Sequence, residues 1–441
     1  MSHLDTLAAL IAAARRAGAD SADALLVKNA SLSVSRRLGK IEQLERAEGF
    51  DIGLRVFIGQ RQALIASTDA DPRGFEKLAE RAVAMARVVP EDPFAGLADA
   101  ATFTLPELDL ADAEEPAAEA LLARAAIIEE AALAVPGITN SEGGEASWSR
   151  TEIALVASNG FAGGYARTSH STGISVIAGQ GTAMERDWEY SYTVHLADLE
   201  DAAMLGRRAG ENAIARLNPR RPPTARIPVI FAPRVSGSLL GHLAGAINGA
   251  SVARGTSFLK DSMGKRILAH GLTVRDDPNR PRGLRSRPFD GEGQPGAARA
   301  VVEDGVLTTW VLDARSARQL GLASTGHASR GTGGPPGPST TNFWLDPGHV
   351  TPAELMGDIV EGLYVTDLIG MGVNGVTGDY SRGAAGFMIR HGELAEPVSE
   401  ITIAGRLQEI FLNMAPANDL VFRRGTDAPT IRVDGLTLAG A

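Results

Sequence analysis

The first half of the chain carries one arrangement of elements twice, and this repeat limits the possible folds more than any other feature. Each copy has a helix pattern, three strand patterns and a second helix pattern. The copies are offset by about 120 residues, beyond ordinary solenoid periods. They share this pattern and not residue identity. Two such units can join their strands into one antiparallel sheet that carries its helices on one face.

The element boundaries follow from hydrophobic periodicity. Apolar residues at helical spacing, such as Leu4, Leu7 and Leu10, predict helices, whereas alternating apolar and polar residues predict strands. The predicted elements of the first copy are a helix near 4–17, strands at 31–37, 50–58 and 62–68, and a helix at 73–88. The predicted elements of the second copy are a helix at 117–135, strands at 152–158, 173–179 and 190–196, and a helix near 200–216.

A proline-rich segment is the best domain boundary. Four of the twelve residues at 217–228 are proline, which predicts an irregular linker and domains at 1–220 and 221–441. The predicted fold class is α+β. Two similar helix–three-strand–helix units share an antiparallel sheet in the N-terminal domain, and the C-terminal domain is β-rich with a buried helix.

Hairpin signals and one apolar helix pattern organise the second domain. Alternating residues flank Asp304-Gly305 and His391-Gly392, which are turn pairs that tolerate positive φ. The small and apolar stretch 238–250 predicts the buried helix. The other expected elements are a helix at 352–363, strands at 229–233, 363–369 and 400–405, and glycine-rich loops at 331–342 and 370–386.

Charge and cysteine content exclude several classes of protein. The net charge is −10 and no basic stripe occurs, so DNA or RNA is not expected as a direct partner. The absence of cysteine excludes disulfides, thiolate metal sites and cysteine nucleophiles. No run of 18 apolar residues occurs, so no membrane span is expected and we predict a cytoplasmic protein.

His242, in SLLGHLAGAINGA (238–250), is a candidate metal ligand because it lies on a predicted helix. Helical zinc motifs need a second ligand about one turn further on, but Gly245, Ala246 and Ile247 cannot bind a metal. The expected role of His242 is therefore that of a lone core or helix-end histidine, and no metal site is predicted.

The stretch GMGVNG (370–375) matches a dinucleotide-binding pattern. That site needs a helix directly after the glycines, and none is predicted here. No nucleophile elbow and no phosphate-binding loop occurs either, so we expect no cofactor.

Two short polar motifs lack an assigned chemistry. Asp290 and Glu292, in PFDGEG, are expected in a solvent-exposed turn. His327, in STGHA, is either a loop histidine with satisfied hydrogen bonds or a polar residue of a cleft. The residues alone therefore indicate no catalytic machinery.

Four ordered motifs resemble one family. They are PFDGEG (288–293), STGHA (324–328), VTGDYSRGAAGF (376–387) and PVSEITIAG (397–405). They are similar to the PmbA/TldE branch of the TldD/PmbA family. The resemblance covers nearly the whole chain and is strongest from about 227 to 413. This family was once described as modulators of DNA gyrase and is now regarded as peptidases.

The resemblance implies one subunit of a two-subunit cytoplasmic metallopeptidase. In this family the TldD subunit binds a metal through His-Glu-x-x-x-His and a later cysteine, whereas the TldE subunit lacks that set and is needed for activity. With the shared Gly-Thr-Ser at 255–257 aligned, Gly241 and Ala246 stand at the two histidine positions, and His242 stands at the glutamate position. We therefore expect a non-catalytic partner subunit with no catalytic residue, metal or cofactor of its own.

We expect residues 378–386 to line the cleft that admits unfolded or extended peptides, because their glycines let a substrate backbone approach closely. Arg382 would hold a peptide carbonyl or terminal carboxylate. In the alternative, Asp379 and Arg382 pair with each other and hold a tight turn. The candidate substrate-binding residues are Asp379, Tyr380, Arg382, Gly383 and His327.

The expected partners are a TldD-type subunit, in a heterodimer, and a peptide substrate. Without that subunit, pairing of the chain with itself is the alternative. Two other functions stay open at this point, a self-sufficient metal-independent peptidase and a gyrase-modulating binding protein. The peptidase needs an activated nucleophile beside a base, and none is apparent in the sequence. The binding protein should be basic, but this chain is acidic.

Overall fold

A computed structural model describes residues 2–440 and begins with one six-stranded antiparallel sheet. Its strands are β1 (Ser21–Arg37), β2 (Lys40–Ile58), β3 (Arg61–Ser67), β4 (Ile138–Ala157), β5 (Ala162–Ala178) and β6 (Glu185–Thr193). Its helices are α1 (His3–Arg16), α2 (Phe75–Val88), α3 (Ala118–Leu133) and α4 (Ala202–Ala215). The strand order is β3-β2-β1-β4-β5-β6. The predicted order of elements is confirmed in both copies.

The two copies join through their first strands, because β1 pairs with β4 in the middle of the sheet. Paired residues share a face of the sheet. Leu26 and its partner Ala154 both pack against α1 and α2, and Ile174 on β5 packs against α4 on the same face. The predicted shared sheet with helices on one face is therefore confirmed. The strands are longer than predicted because polar stretches also pair in the sheet.

The second face of this sheet is also covered. Leu25 and Leu155 point away from the helices and contact Phe289, which belongs to the second half of the chain. Residues on both faces of β1 are therefore buried from Ala22 to Leu26, and this buried run includes the charged residue Asp23.

A closed five-stranded barrel forms the core of the second half. The order is β16-β15-β14-β7-β19, and pairing of β16 with β19 closes it. These strands are β7 (Ala225–Phe231), β14 (Glu361–Ile369), β15 (Asp379–Arg390), β16 (Glu393–Arg406) and β19 (Ile431–Ala439). Only β14 and β7 pair in parallel within the described barrel. The predicted division at residue 220 falls between the sheet and this barrel and stays a prediction.

Smaller elements surround the barrel. A second sheet has the order β10-β9-β8-β13-β18. Its strands are β8 (Val274–Asp277), β9 (Arg299–Glu303), β10 (Val306–Leu307), β13 (Asn342–Leu345) and β18 (Thr426–Asp427). The remaining elements are α5 (Pro233–Ala246), α6 (Gly249–Ala253), α7 (Ala314–Leu320), α8 (Pro352–Met356), α9 (Leu407–Leu412), β11 (Ala328–Ser329), β12 (Gly337–Pro338) and β17 (Met414–Pro416).

Two expectations for the second half are wrong. The helix predicted at 352–363 ends at Met356, and β14 begins at Glu361 because its apolar residues fill the barrel. Most of the stretch 376–387 is strand and not loop. Its small residues fit because the barrel strands crowd there, and a Cβ at Gly386 would overlap the carbonyl oxygen of Tyr364.

Both predicted hairpin turns are confirmed. Asp304 and Gly305 have φ of 48° and 76°, and His391 and Gly392 have φ of 50° and 84°. This is the paired positive φ that a tight two-residue hairpin requires. Across residues 2–440, no helix combines the length and apolar character that a membrane crossing needs.

Candidate functional site

Helix α5, which follows barrel strand β7, has one buried face and one open face. Leu239, Leu240 and Leu243 are fully buried against the barrel. Gly241 and Gly245 are exposed on the opposite side. The helix predicted as buried is therefore buried on one side only, because glycines leave the other side without side chains.

The open face of α5 forms one wall of a cavity of about 280 Å³, which we call the helix pocket. Its other walls come from α6, the loop after β14, and β15. The lining residues are Gly241, His242, Gly245, Ala246, Ser251, Thr256, Met371, Val373, Gly375, Arg382 and Leu407. The pocket thus joins a stretch of small residues to one imidazole and one guanidinium.

His242 has no polar partner in this pocket. Its Nε2 atom is buried and forms no hydrogen bond with any described residue. Burial lowers the pKa of His242, and the nearby positive charge of Arg382 lowers it further. His242 is therefore a neutral imidazole at neutral pH, with one nitrogen able to accept or donate a hydrogen bond.

Tyr380 and Arg382 lie two residues apart on β15 and project from the same face of the strand. The Tyr380 ring is fully buried edge-on against the His242 ring, with centroids 5.8 Å apart. Its hydroxyl has no partner among the described residues, and burial raises its pKa. Arg382 is partly exposed, and its Nε donates to the Ile369 carbonyl oxygen at 3.3 Å.

Asp379 does not belong to this group. It is exposed, and its Oδ2 accepts from the Thr377 hydroxyl at 2.6 Å. Residues three apart on a strand face opposite sides, so no contact joins Asp379 to Arg382. The alternative in which these two charges pair to hold a turn is therefore wrong.

Gly383 lies inside the barrel sheet. It pairs with Ile369 of β14 on one side and with Thr402 of β16 on the other. No free strand edge exists at Gly383, so an extended peptide cannot add there as a further strand. A peptide near this strand would have to contact side chains of the helix pocket instead.

His327 lies elsewhere, beside the second sheet. Its Nε2 is 2.9 Å from Asp276 Oδ1, and its Nδ1 is 2.9 Å from the carbonyl oxygen of Thr325. The side chain is fully buried. Both ring nitrogens are thus engaged, which matches the predicted loop histidine with satisfied hydrogen bonds and leaves none for a substrate.

Sequence reasoning missed a buried ionic cluster where the sheet meets the second half. Asp23 of β1 binds Arg55 of β2 and also accepts from Arg330 Nη1 at 2.6 Å. Glu292 lies 3.8 Å from Arg55, and its Oε2 accepts from the Ala314 backbone amide at 2.8 Å. We call Asp23, Arg55, Glu292 and Arg330 the seam cluster.

The turn predicted to be solvent-exposed is therefore buried. Asp290 is 2% exposed and Glu292 is 5% exposed. The motif PFDGEG in the family resemblance was the only available signal, because the partners Asp23 and Arg55 lie more than 200 residues earlier.

The residues around His242 do not fit a metal ion. Within residues 2–440, no group of three or more His, Cys, Asp or Glu side chains could hold one. A catalytic zinc normally needs three protein ligands. We therefore derive no metal-dependent step from this chain.

The fold and the helix pocket define the class of this protein. It is an α+β chain in which a six-stranded sheet precedes a barrel, and a helix packed on the barrel has one exposed face. Residues 22–86, 111–217 and 224–440 match, in order, the PmbA/TldA metallopeptidase domain 1, central domain and C-terminal domain. The chain is 38% identical over 425 residues to metalloprotease PmbA of Escherichia coli O157:H7, which covers 96% of this chain and 92% of that protein. It belongs to the PmbA/TldD metallopeptidase family, on its PmbA/TldE branch.

Solved structures agree on the fold. A candidate modulator of DNA gyrase from Bacteroides thetaiotaomicron superposes with a TM-score of 0.91 at 23% identity, over 99% of this chain and 98% of that one. TldE from Thermococcus kodakarensis superposes with a TM-score of 0.88 at 21% identity, over 98% of this chain and 99% of that one.

Proposed function

We propose that this chain is the non-catalytic partner subunit of a TldD-type metallopeptidase, in which it helps to form the cleft for unfolded or extended peptides. The observation that carries the proposal is the helix pocket. It offers an open helix face with a single imidazole and no set of metal ligands, in a member of a metallopeptidase family.

The pocket supports a role in holding a peptide. Gly241 and Gly245 leave room for a peptide backbone to approach α5. Arg382 supplies a charged donor, and hydrogen bonds from a charged donor are among the stronger ones. His242 Nε2 is a further polar group of this pocket without a partner among the described residues. A peptide carbonyl or carboxylate would satisfy such groups.

A surface for the partner subunit is available beside the pocket. Ile369, Met371 and Val376 are 61%, 92% and 56% exposed on the segment that leads from β14 to β15. Contiguous exposed apolar residues mark protein–protein contact sites. We propose that the TldD-type subunit covers this segment and closes the cleft, in a contact on the order of 2,000 Å² or more. Alone, the chain would pair with itself through the same segment.

The test is to co-express this chain with a TldD-type subunit and measure assembly by size-exclusion chromatography with light scattering. One stable heterodimer is expected, and peptide hydrolysis by it should be sensitive to chelators. Met371→Asp should weaken assembly at least tenfold, about 1.4 kcal/mol, because it buries a charge in the contact. Val88→Asp is the matched control, since Val88 is 83% exposed on α2, away from the pocket.

The cleft assignment has its own test in the same complex. Arg382→Ala should lower peptide cleavage at least tenfold, equal to about 1.4 kcal/mol of transition-state stabilisation, with melting temperature and assembly unchanged. Arg81→Ala is the matched control because Arg81 is an exposed arginine on α2, away from the pocket. If the complex that carries Arg382→Ala cleaves peptides at the unaltered rate, the helix pocket does not form part of the peptide cleft.

One observation favours a second candidate, the metal-independent peptidase. Ser251 and Thr256 line the same pocket as His242 and would supply a hydroxyl nucleophile. No hydrogen bond joins either hydroxyl to His242, however, and such a bond is the usual sign of an activated nucleophile. Hydrolysis by the isolated chain that persists with a chelator and is lost in Ser251→Ala would favour this candidate over the partner subunit.

A further inference from the structure

A different cavity, of about 400 Å³, lies where the second face of the six-stranded sheet meets the loops of the second half. This volume is in the range of small-molecule sites. The cavity contains Phe289 and Asp290 of the family motif PFDGEG, and also Ser329, which directly follows the motif STGHA. It shares no lining residue with the helix pocket.

One wall of this cavity is apolar. Leu25 of β1 and Leu155 of β4 contribute aliphatic side chains from the sheet. Phe289 closes the wall and packs edge-on against Tyr165, with centroids 5.3 Å apart. An apolar body of about the size of one aromatic side chain would find matching contacts here.

The other wall carries Arg330 and three further arginines, Arg167, Arg285 and Arg287, and we call the cavity the arginine pocket. Within residues 2–440, none of the three has a carboxylate oxygen within 4.0 Å, whereas neighbouring Arg330 binds Asp23. Arg287 Nη1 donates to the Ala328 carbonyl oxygen at 2.8 Å, but its Nε and Nη2 atoms are buried without a hydrogen-bond partner. Buried donors without partners are costly, so this pocket is suited to an anion.

Asp290 is the one carboxylate in the described lining, and it forms no ion pair within 4.0 Å with these arginines, although Arg287 is close enough to act on it electrostatically. Its Oδ1 accepts from the backbone amides of Glu292 and Gln294 at 2.8 and 2.9 Å, and its Oδ2 accepts from that of Ala328 at 2.9 Å. Burial raises the pKa of Asp290, and its backbone hydrogen bonds and the nearby positive charge of Arg287 oppose that shift. This single carboxylate faces three arginines that have no ion-pair partner within residues 2–440. The pocket therefore keeps an excess of positive charge.

The larger cavity of about 840 Å³ beside β6 and α5 offers the contrast. Four of its five arginines, all except Arg424, are already matched by carboxylates of the chain. Arg208 binds Glu189 at 3.1 Å, and Asp187 binds both Arg216 and Arg234, at 3.3 and 2.8 Å. Arg167, Arg285 and Arg287 in the first cavity lack such partners among the described residues. That cavity is therefore suited to an external anion, whereas the larger cavity holds mainly an internal ion-pair network.

We propose that the arginine pocket binds a small organic carboxylate whose apolar body lies against Phe289 and the sheet while its carboxylate lies between Arg285 and Arg287. A guanidinium presents paired donors that match a carboxylate. A free carboxylic acid and the carboxyl terminus of a peptide with an apolar last residue share this chemistry. The proposal is independent of the proposed partner-subunit function.

Isothermal titration calorimetry on the full chain, in buffer free of carboxylate and phosphate, tests the proposal. The probes are phenylpropionate, phenylpropionamide, inorganic phosphate, and N-acetyl-glycyl-phenylalanine with a free or an amidated terminus. Phenylpropionate or the free-terminus dipeptide should bind at least tenfold more tightly than its own amide and than phosphate. Binding of the dipeptide alone would identify a peptide terminus as the source, and binding of phenylpropionate alone would identify a free acid.

Variants assign the binding to the pocket. Arg285→Gln should weaken binding at least tenfold, and Arg287→Gln should weaken it more because two of its donors are buried. Arg285 is exposed and its side chain forms no hydrogen bond among the described residues, so its substitution keeps the test valid if Arg287→Gln fails to fold. Arg81→Gln, an exposed arginine on α2, is the matched control and should bind as the unaltered chain does.

Three results would overturn the proposal. The first is that no carboxylate probe binds at millimolar concentration. The second is that phosphate binds as tightly as phenylpropionate, which would mean an inorganic anion site only. The third is that Arg285→Gln binds phenylpropionate and the dipeptide with unaltered affinity, which would place the binding elsewhere.

Discussion

The seam cluster and the helix pocket differ in how their buried polar groups are satisfied. In the seam cluster both carboxylates are satisfied, because Asp23 accepts hydrogen bonds from two guanidinium groups and Glu292 accepts one from a backbone amide; only Arg330 Nε lacks a partner among the described residues. In the helix pocket, His242 Nε2 has no partner among the described residues, and the hydroxyl of Tyr380, which packs against His242 without lining the pocket, has none either. Satisfied groups stabilise the fold, whereas unsatisfied groups are available to a ligand. Substitution should therefore cost stability in the first region and little in the second.

The largest effect is expected at Asp23. Asp23→Ala removes the carboxylate shared by Arg55 and Arg330, whose side chains are 4% and 1% exposed. Two buried guanidinium groups then lose their main counter-charge, so the free energy of unfolding should fall by about 3–5 kcal/mol. Urea unfolding followed by circular dichroism measures this change.

Asp99→Ala is the control for that substitution, because Asp99 is exposed and its carboxylate forms no hydrogen bond or ion pair among the described residues. It should change the free energy of unfolding by less than about 0.5 kcal/mol. Equal effects of the two substitutions would contradict the view that the seam cluster holds the two halves together.

A smaller effect, dependent on pH, is expected at Glu292. Burial raises the pKa of Glu292 from its ordinary 4.5 to about 7. Between these values the folded chain holds this proton and the unfolded chain does not, so stability falls as the pH rises through this window. Glu292→Gln removes this contribution. The variant should gain about 2–3 kcal/mol relative to the unaltered chain as the pH rises from 4.5 to 7.

Urea unfolding at a series of pH values checks the sign. Glu91→Gln is the control, since Glu91 is exposed and bound only to exposed Arg61 at 3.2 Å. Its unfolding free energy should follow that of the unaltered chain across the series. A Glu292→Gln variant that loses stability above pH 7 would mean that the ionised carboxylate, paired with Arg55, stabilises the seam cluster.

The smallest effect is expected at Tyr380, which is buried beside the helix pocket against His242. Tyr380→Phe removes a buried hydroxyl that has no partner, so the free energy of unfolding should stay within about 0.5 kcal/mol or rise slightly. Thr341→Val is the matched comparison, because the buried Thr341 hydroxyl donates to Asp276. Its loss should cost about 1–3 kcal/mol. A large loss in Tyr380→Phe would show that its hydroxyl has a structural partner after all.

Local patterns in the sequence were sufficient for the duplicated sheet and the hairpins. Leu7 and Leu10 recur at helical spacing, and Asp304-Gly305 has the turn chemistry that its backbone requires. The four short motifs were sufficient to identify the PmbA/TldE branch of the family. These features depend on residues close together in the chain, which is why periodicity and turn pairs detect them.

The missed features depend on contacts between distant residues. Gly383 and Gly386 suggested a loop, but both lie on a barrel strand that accepts only small residues where it approaches Tyr364. Glu292 looked exposed because Arg55, its partner, lies on another element far earlier in the chain. Single-sequence patterns carry no information on such pairings, and so the arginine pocket was also invisible before the fold was known.

Closure of the barrel by β19 has a consequence during synthesis. The six-stranded sheet is complete once Thr193 has left the ribosome, whereas β7 cannot gain its second neighbour until Ala439 has emerged. At about 5–20 residues per second, translation of the intervening segment takes on the order of ten seconds or more. During that interval the unfinished barrel strands expose apolar residues, and Leu25 and Leu155 on the nascent sheet lack their cover. We expect nascent chains that have emerged beyond Thr193 but not yet as far as Ala439 to bind the chaperones that act at the ribosomal exit tunnel.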